Sequence, residues 1–274
     1  MRKLNLLIVA LLLTSGLAAQ EVKHNDLSLN WGVGSIMRQD QTVSPFIHQK
    51  WSPVNIMLRY SRSQKLDQLA DIKFSLYNPS IVKPYNFNSY YSGAQTGLAH
   101  SFKLIDFNYA IGKPILNKNE WRFVIGGKSR NHIYFSDYNF GPTTTPSPMF
   151  ISFGLDLWLN LQYRINEKQY IKSNFSLPLF SYIYRAPYLA QNDEYFENIY
   201  SHKGLKEFTS RLSDGQIQSW GASQRVDFDL QYGYILNEKW DIGLTYLFAM
   251  NLNQSPTKYS QIESVFYLCG KLKF

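Results

Sequence analysis

A strict alternation of apolar and polar residues constrains this chain more than any other feature. Between Ile151 and Ile165 every odd-numbered residue is apolar, and most of the residues between them are polar. A helix would scatter those apolar side chains around its circumference, whereas a strand places them on one face. The same period recurs at 226–236 and 240–250. The pattern predicts a protein built almost entirely of β-strands.

The alternating runs predict about ten strands, with eight or twelve as alternatives. An apparent change of phase at Leu104–Ile105 suggests a bulge or a misjudged strand boundary, and Pro178 removes a ladder hydrogen bond from its strand. The predicted strands lie near 27–36, 51–62, 67–77, 95–115, 121–136, 149–165, 169–185, 220–236, 239–252 and 260–274.

The connections between these strands are alternately short and long. Three of the short turns share a sequence motif: an Asn, then charged or polar residues, then an aromatic residue. Asn tolerates turn geometry and the charged residues favour water, so the motif is typical of an exposed turn. Such asymmetry is typical of outer-membrane barrels, which have short periplasmic turns and longer extracellular loops. We expect the aromatic residues that follow this motif to lie in the periplasmic aromatic girdle at the membrane interface. They are Trp121, Tyr170 and Trp240. Short turns lie at 62–66, 117–120, 166–168 and 237–239, and long connections at 37–50, 78–94, 137–148, 186–219 and 253–259.

The first 20 residues have the layout of a secretory signal peptide. Arg2 and Lys3 precede an apolar run that is too short to span a membrane, and small residues end at Ala19. No Cys follows the run, which argues against a lipid anchor. We therefore expect residues 1–20 to be removed on export and residues 21–274 to form one barrel domain.

Composition excludes several classes of function. The formal net charge is +8, but no run of five or six basic residues occurs, which argues against nucleic acid as a partner. A modest positive charge suits anionic lipid better. The single Cys269 excludes an internal disulfide framework and a zinc site built on Cys. We expect no cofactor and no metal.

The last strand, "QIESVFYLCGKLKF", ends the chain on an aromatic residue. Its alternating apolar residues resemble the C-terminal assembly signal of bacterial outer-membrane β-barrel proteins, and the style of the whole sequence is similar to that of barrels from Bacteroidota-type bacteria. The resemblance implies an all-β, transmembrane, antiparallel up-and-down barrel in the outer membrane of a Gram-negative cell. Its partners would be outer-membrane lipid and the barrel-assembly machinery. The residues carrying the signal are Phe266, Leu268, Gly270, Leu272 and Phe274.

In this register, charged side chains of both signs face the barrel interior. Ten strands leave an interior little wider than its side chains, so a polar, salt-bridged core is favoured over a conducting channel. The predicted lumen-lining residues are Arg122, Lys128, Arg130, Asp156, Arg164, Lys172, Asp227, Asp229 and Asp241.

No catalytic arrangement stands out. His132 lies within reach of Asp137 along one strand, and His202 lies near acidic residues in the 186–219 loop, but neither spacing is diagnostic. The glycines at 32–35 and 126–127 look like places where a neighbouring strand approaches closely.

The sequence thus predicts a non-enzymatic envelope protein whose extracellular loops, above all 186–219, bind a partner or ligand. A narrow channel for small solutes is the alternative, and an outer-membrane hydrolase is a third hypothesis.

Overall fold

The computed structural model describes residues 24–79, 86–89, 93–96, 100–118, 120–140, 143–144, 149–185 and 204–274. The predicted signal peptide lies outside these residues. The strands are β1 (His24–Asp40), β2 (His48–Ser63), β3 (Asp67–Tyr77), β4 (Asn86–Ser89), β5 (Gly93–Thr96), β6 (Ser101–Lys118), β7 (Trp121–Asp137), β8 (Asn139–Phe140), β9 (Thr143–Thr144), β10 (Met149–Arg164), β11 (Gln169–Arg185), β12 (Gln216–Gln218), β13 (Ser223–Ile235), β14 (Trp240–Asn253) and β15 (Tyr259–Lys273), with one helix, α1 (Leu205–Ser213).

Ten long antiparallel strands close into a barrel, as the alternation predicted. Their order around the ring is β1, β2, β3, β6, β7, β10, β11, β13, β14 and β15, and β15 pairs with β1 to remove both edges. Closure matters because lipid offers no hydrogen-bond partners to an unpaired strand edge. We call the two ends of the barrel the short-turn end, where β1 begins and β15 ends, and the long-loop end.

The outer face of the barrel is apolar and the inner face is polar, the reverse of a soluble β-sandwich. On β15, Phe266 and Leu268 face outward and are each 62% exposed, whereas Glu263 faces the barrel interior and is fully buried. Apolar side chains turned outward over the whole circumference fit a hydrocarbon surrounding and not water. The soluble alternative, in which the apolar face fills the core, does not describe this chain.

The fourth predicted strand, at 95–115, was wrong at its start. The strand, β6, begins at Ser101, and 93–96 instead pairs with 86–89 in a small separate hairpin. Of the two interpretations of Leu104–Ile105, the bulge is wrong, because β6 runs in continuous register there and the irregularity lies between Pro114 and Leu116. The misjudged boundary is the start of this strand. Leu104 faces an apolar part of the interior, so it and the adjacent Ile105 are both apolar although the strand keeps its register. In the sequence, this pattern looks the same as a change of phase.

Pro178 interrupts the wall between β11 and β13. The ladder between these strands ends at the Ser176–Asp227 pair, and β11 is bulged against β10 where Asp156 faces Pro178. Further along, β12 takes over the same edge of β11 and pairs with residues 181–183. Proline lacks the amide hydrogen that a central strand needs, so the chain changes partner at this point.

Glycine permits close strand approach at one side of the wall. A Cβ placed on Gly126 of β7 would lie 2.0 Å from the carbonyl oxygen of Ile111 on β6 and 2.4 Å from the Cα of Gly112. A Cβ on the neighbouring Gly127 would meet only the carbonyl oxygen of Asp156, at 4.0 Å. The predicted close approach is therefore confirmed for Gly126 and does not extend to Gly127.

These two glycines give a matched test of wall packing. Gly126→Ala should lower the free energy of unfolding by roughly 1–3 kcal/mol, the usual cost of overpacking a rigid site. Gly127→Ala, one residue away on the same strand, should change it by less than about 0.5 kcal/mol, as at an open surface position. Urea unfolding from lipid vesicles measures both. Equal effects at the two positions would contradict the packing described here.

Candidate functional site in the barrel interior

The interior has three layers, and an apolar plug fills the layer at the long-loop end. The ring of Phe150 stacks between those of Tyr134 and Tyr259, with ring centroids 5.8 Å and 5.0 Å apart. All the plug residues are at most 4% exposed. Tight packing of this kind leaves no room for a hydrated path. The plug consists of Ile36, Tyr77, Phe102, Leu104, Tyr134, Tyr138, Phe150, Ile183 and Tyr259.

Two arginines lie among the plug aromatics. The Arg38 guanidinium is 4.8 Å from the ring centre of Phe102 and 5.1 Å from that of Tyr259, and Arg185 approaches Tyr259 from 5.2 Å. Arg185 also donates a 2.7 Å hydrogen bond to Asp40 on β1, on a distant part of the ring. Cation–π contacts and a charge-assisted hydrogen bond together make these buried charges tolerable.

A pair of histidines packs beside the plug. The rings of His48 and His100 meet edge to face at 5.0 Å, and His48 shares a 3.1 Å hydrogen bond with the Ser44 hydroxyl. Burial lowers the pKa of His100, which precedes β6, because desolvation disfavours the imidazolium. A neutral ring at neutral pH suits this aromatic contact.

The middle layer is a lattice of ion pairs that cross the lumen. Lys73 of β3 binds Glu263 of β15 at 2.5 Å and Asp106 of β6 at 2.8 Å. The Tyr77 hydroxyl donates to the same Glu263 at 3.0 Å. All of these side chains are buried, and the single Lys73 cation is shared between two carboxylates from other strands.

A second set of ion pairs completes the lattice. Arg59 of β2 makes a bidentate contact with Asp229 of β13, at 2.9 Å and 3.5 Å. Arg130 of β7 lies 2.9 Å from Asp156 of β10 and 3.2 Å from Asp227 of β13. Since β2 and β13 stand on nearly opposite sides of the ring, the Arg59–Asp229 pair spans the lumen.

The space left inside the middle layer is small. A cavity of about 30 Å³ lies among Arg59, Lys73, Asp106, Lys128 and Asp229. That volume suits one or two water molecules. The interior of this layer is therefore filled by side chains and not by a channel.

The third layer, at the short-turn end, is a wide vestibule. Its volume is 620 Å³, within the range of small-molecule sites. Every strand of the ring except β3 contributes to its lining, together with the turns at 120 and 238. The lining residues are Asp26, Ser63, Asn117, Glu120, Trp121, Arg122, Gln162, Arg164, Gln169, Tyr170, Lys172, Ile235, Glu238, Asp241, Lys271 and Lys273.

The residues predicted to line the lumen divide between two of the layers. The vestibule contains Arg122, Arg164, Lys172 and Asp241. The remaining five belong to the middle layer, where they contact the ion-pair lattice or the small cavity: Lys128, Arg130, Asp156, Asp227 and Asp229.

Tyr170 does not lie in the aromatic girdle that the sequence predicted. Its side chain faces the interior and is 7% exposed, and its ring lies where a Cβ on Gly233 would be, 2.1 Å from Cζ. Lys271 donates to its hydroxyl at 2.6 Å, and the hydroxyl donates to Asp241 at 3.3 Å. Trp121 and Trp240 are 44% and 48% exposed on the outer face, at the short-turn end.

His132 does not pair with Asp137, as the sequence had suggested. Its Nδ1 binds Asp106 in the middle layer, where the imidazole is 1% exposed, and Asp137 lies 3.6 Å from Lys103 instead. A substrate at the rim of the barrel cannot reach this histidine. His202 lies outside the described residues, as does most of the 186–219 loop.

Within the part of the chain that the structure describes, no group of His, Cys, Asp and Glu could hold a metal ion. Over the same residues, no helix is long and apolar enough to cross a membrane.

The plug is the element that sequence reasoning missed. Phe102, Leu104 and Phe150 occupy inward positions that were expected to be polar. The signal was present in Leu104–Ile105, where both faces of one strand are apolar, but an inward apolar residue and a bulge give the same pattern. Only the register with neighbouring strands separates the two.

No protein-family model matches the chain, and no curated protein matches its sequence. Solved structures do. The outer-membrane protease OmpT of Escherichia coli is 8% identical, with 95% of this chain and 100% of that chain covered and a TM-score of 0.52. The β domain of the Bordetella autotransporter BrkA is 8% identical over 92% and 99% (TM-score 0.41), and the toluene transporter TodX of Pseudomonas putida is 9% identical over 93% and 90% (TM-score 0.37). At such identities the likeness concerns the fold alone. The chain has the fold of a bacterial outer-membrane β-barrel.

Proposed function

We propose that this protein is a closed, non-conducting outer-membrane barrel that acts through its extracellular loops. The observation that carries this proposal is the filled lumen, in which an apolar plug lies above a layer of cross-lumen ion pairs. A conducting barrel needs a continuous hydrated path, and ten strands give little width for one. The function then falls to the surfaces outside the lumen.

The long-loop end carries folded structure beyond the barrel wall, which supports a binding role for that end. Helix α1 lies beside β11, where the Tyr182 hydroxyl donates to the carbonyl oxygen of Leu212 and the Tyr182 ring packs where a Cβ on Gly215 would be. Trp220, in the turn that follows β12, is 55% exposed. Exposed apolar side chains on an ordered segment are typical of recognition surfaces.

We place the long-loop end outside the cell and the short-turn end in the periplasm, with outer-membrane lipid around the wall. The alternation of short turns at one end and long loops at the other supports this orientation. The apolar side chains on the outer face of β15 would contact lipid in the membrane and the barrel-assembly machinery during insertion.

The first test is conductance in planar bilayers. The purified, refolded protein should give no single-channel steps under conditions in which an open porin conducts. The Phe150→Ala, Tyr259→Ala double variant, which removes much of the plug, should also be silent because the ion-paired layer still closes the lumen.

Heat-modifiable gel mobility provides the folding control for both proteins. Discrete steps from the unaltered protein would contradict the closed barrel and favour the narrow channel. Steps from the double variant alone would show that the ion-paired layer does not close the lumen by itself.

The orientation has its own test by thiol labelling. Lys206→Cys on α1 should react with a membrane-impermeant maleimide on intact cells, whereas Lys239→Cys in a short turn should react only after the outer membrane is permeabilised. The unaltered protein is the control, because its single Cys269 is 2% exposed inside the barrel and should stay unlabelled. Labelling of Lys239→Cys and not Lys206→Cys on intact cells would reverse the proposed orientation.

A further inference from the structure

The vestibule at the short-turn end has a wall of side chains with unused hydrogen-bond donors. Gln162 of β10 is opposite Arg122 of β7 on one side and Lys172 of β11 on the other, so the three form a row across adjacent strands. Arg164 lies two residues further along β10, towards the rim. All four side chains line the cavity of 620 Å³.

Within the described part of the chain, Arg122 is the one member of this wall whose side chain has a hydrogen-bond partner. It binds Asp67 through two hydrogen bonds, of 3.0 Å and 2.6 Å. Among the described residues, the side chains of Gln162, Arg164 and Lys172 make no hydrogen bond or ion pair. The wall formed by β10 and β11 therefore presents one amide and two cations that have no acceptor among the residues the structure describes.

The acidic residues of the vestibule do not neutralise this wall. Asp241 lies 2.6 Å from Lys273 and 3.9 Å from Lys271, and Asp26 lies 3.9 Å from Lys271. The two remaining acids, Glu120 and Glu238, are exposed in turns at the rim. Asp26 and Asp241 thus form their ion pairs with Lys271 and Lys273, and within the described residues neither reaches ion-pair distance of Lys172 or Arg164.

We infer that the vestibule binds a small oxyanion, bearing a phosphate or carboxylate group, on the wall of Lys172, Arg164 and Gln162. A cation pair with an adjacent amide donor matches the several acceptor oxygens of such a group. The low dielectric of a cavity recessed in the barrel strengthens the attraction relative to an exposed site. The site does not depend on the proposed role of the loops, since it lies at the opposite end of a filled lumen.

Calorimetric titration of the folded full chain in a non-ionic detergent tests the inference. The probes are inorganic phosphate, glycerol 3-phosphate and citrate, which separate a free phosphate, an organic phosphate and a carboxylate ligand. At least one should bind saturably, with an affinity that falls as salt is added. Lys172→Gln should weaken that binding roughly tenfold or more, as expected for loss of a charge-assisted hydrogen bond.

Lys239→Gln is the matched control, because it removes the same charge at the same end of the barrel without touching the cavity. It should leave the affinity within about twofold, and Arg164→Gln should have an intermediate effect because Arg164 is exposed and screened. Gel mobility confirms that each variant is folded. No saturable binding of any probe to the unaltered protein, or equal weakening by Lys172→Gln and Lys239→Gln, would overturn the site.

Discussion

The ion pairs that cross the lumen are the interaction on which the rest of this structure depends. Lipid requires the outer face to be apolar and the strand edges to be closed, so the alternate side chains of every strand must turn inward. Inside ten strands those side chains meet, and charges such as Arg59 and Lys73 are tolerated only because Asp229 and Glu263 reach them from other strands. Removing one partner would leave a buried, uncompensated charge, so the lattice selects one arrangement of the barrel.

The layering of the interior gives the two ends of the barrel different capacities. Aromatic side chains and the paired Arg185 and Asp40 seal the long-loop end, and folded segments such as α1 lie beyond it. The short-turn end remains hollow, and its charges are only partly matched. In the proposed function, binding at one end proceeds without passage of solute to the other.

Much of the fold could be predicted because period-two alternation encodes which side of the wall each residue faces. Strand number, closure and inward charges such as Asp156 all follow from that period. The direction of the Tyr170 side chain could not be predicted from the alternation. A shift of one residue in the register of a strand turns an aromatic residue after a turn from lipid to lumen. The room that Gly233 leaves for the Tyr170 ring decides its direction, and this contact joins residues on two different strands.

The individual ion pairs could not be predicted for a related reason. Which inward charges meet depends on the tilt and stagger of the strands, and many combinations of the same residues are compatible with alternation. Arg59 and Asp229 are separated by 170 residues, and nothing local links them. The vestibule follows from the same geometry, since its volume depends on where the ion pairs end.

The most direct test of the ion-pair lattice is a double-mutant cycle on Arg59 and Asp229, in which the free energy of unfolding is measured by urea unfolding from lipid vesicles. Arg59→Met and Asp229→Leu should each lower the free energy of unfolding by about 3–5 kcal/mol, because each leaves a buried charge without its partner. The double variant, which removes both charges, should be more stable than either single variant. If the two costs simply add, the residues are not coupled across the lumen, and the ion-pair lattice does not hold the interior together.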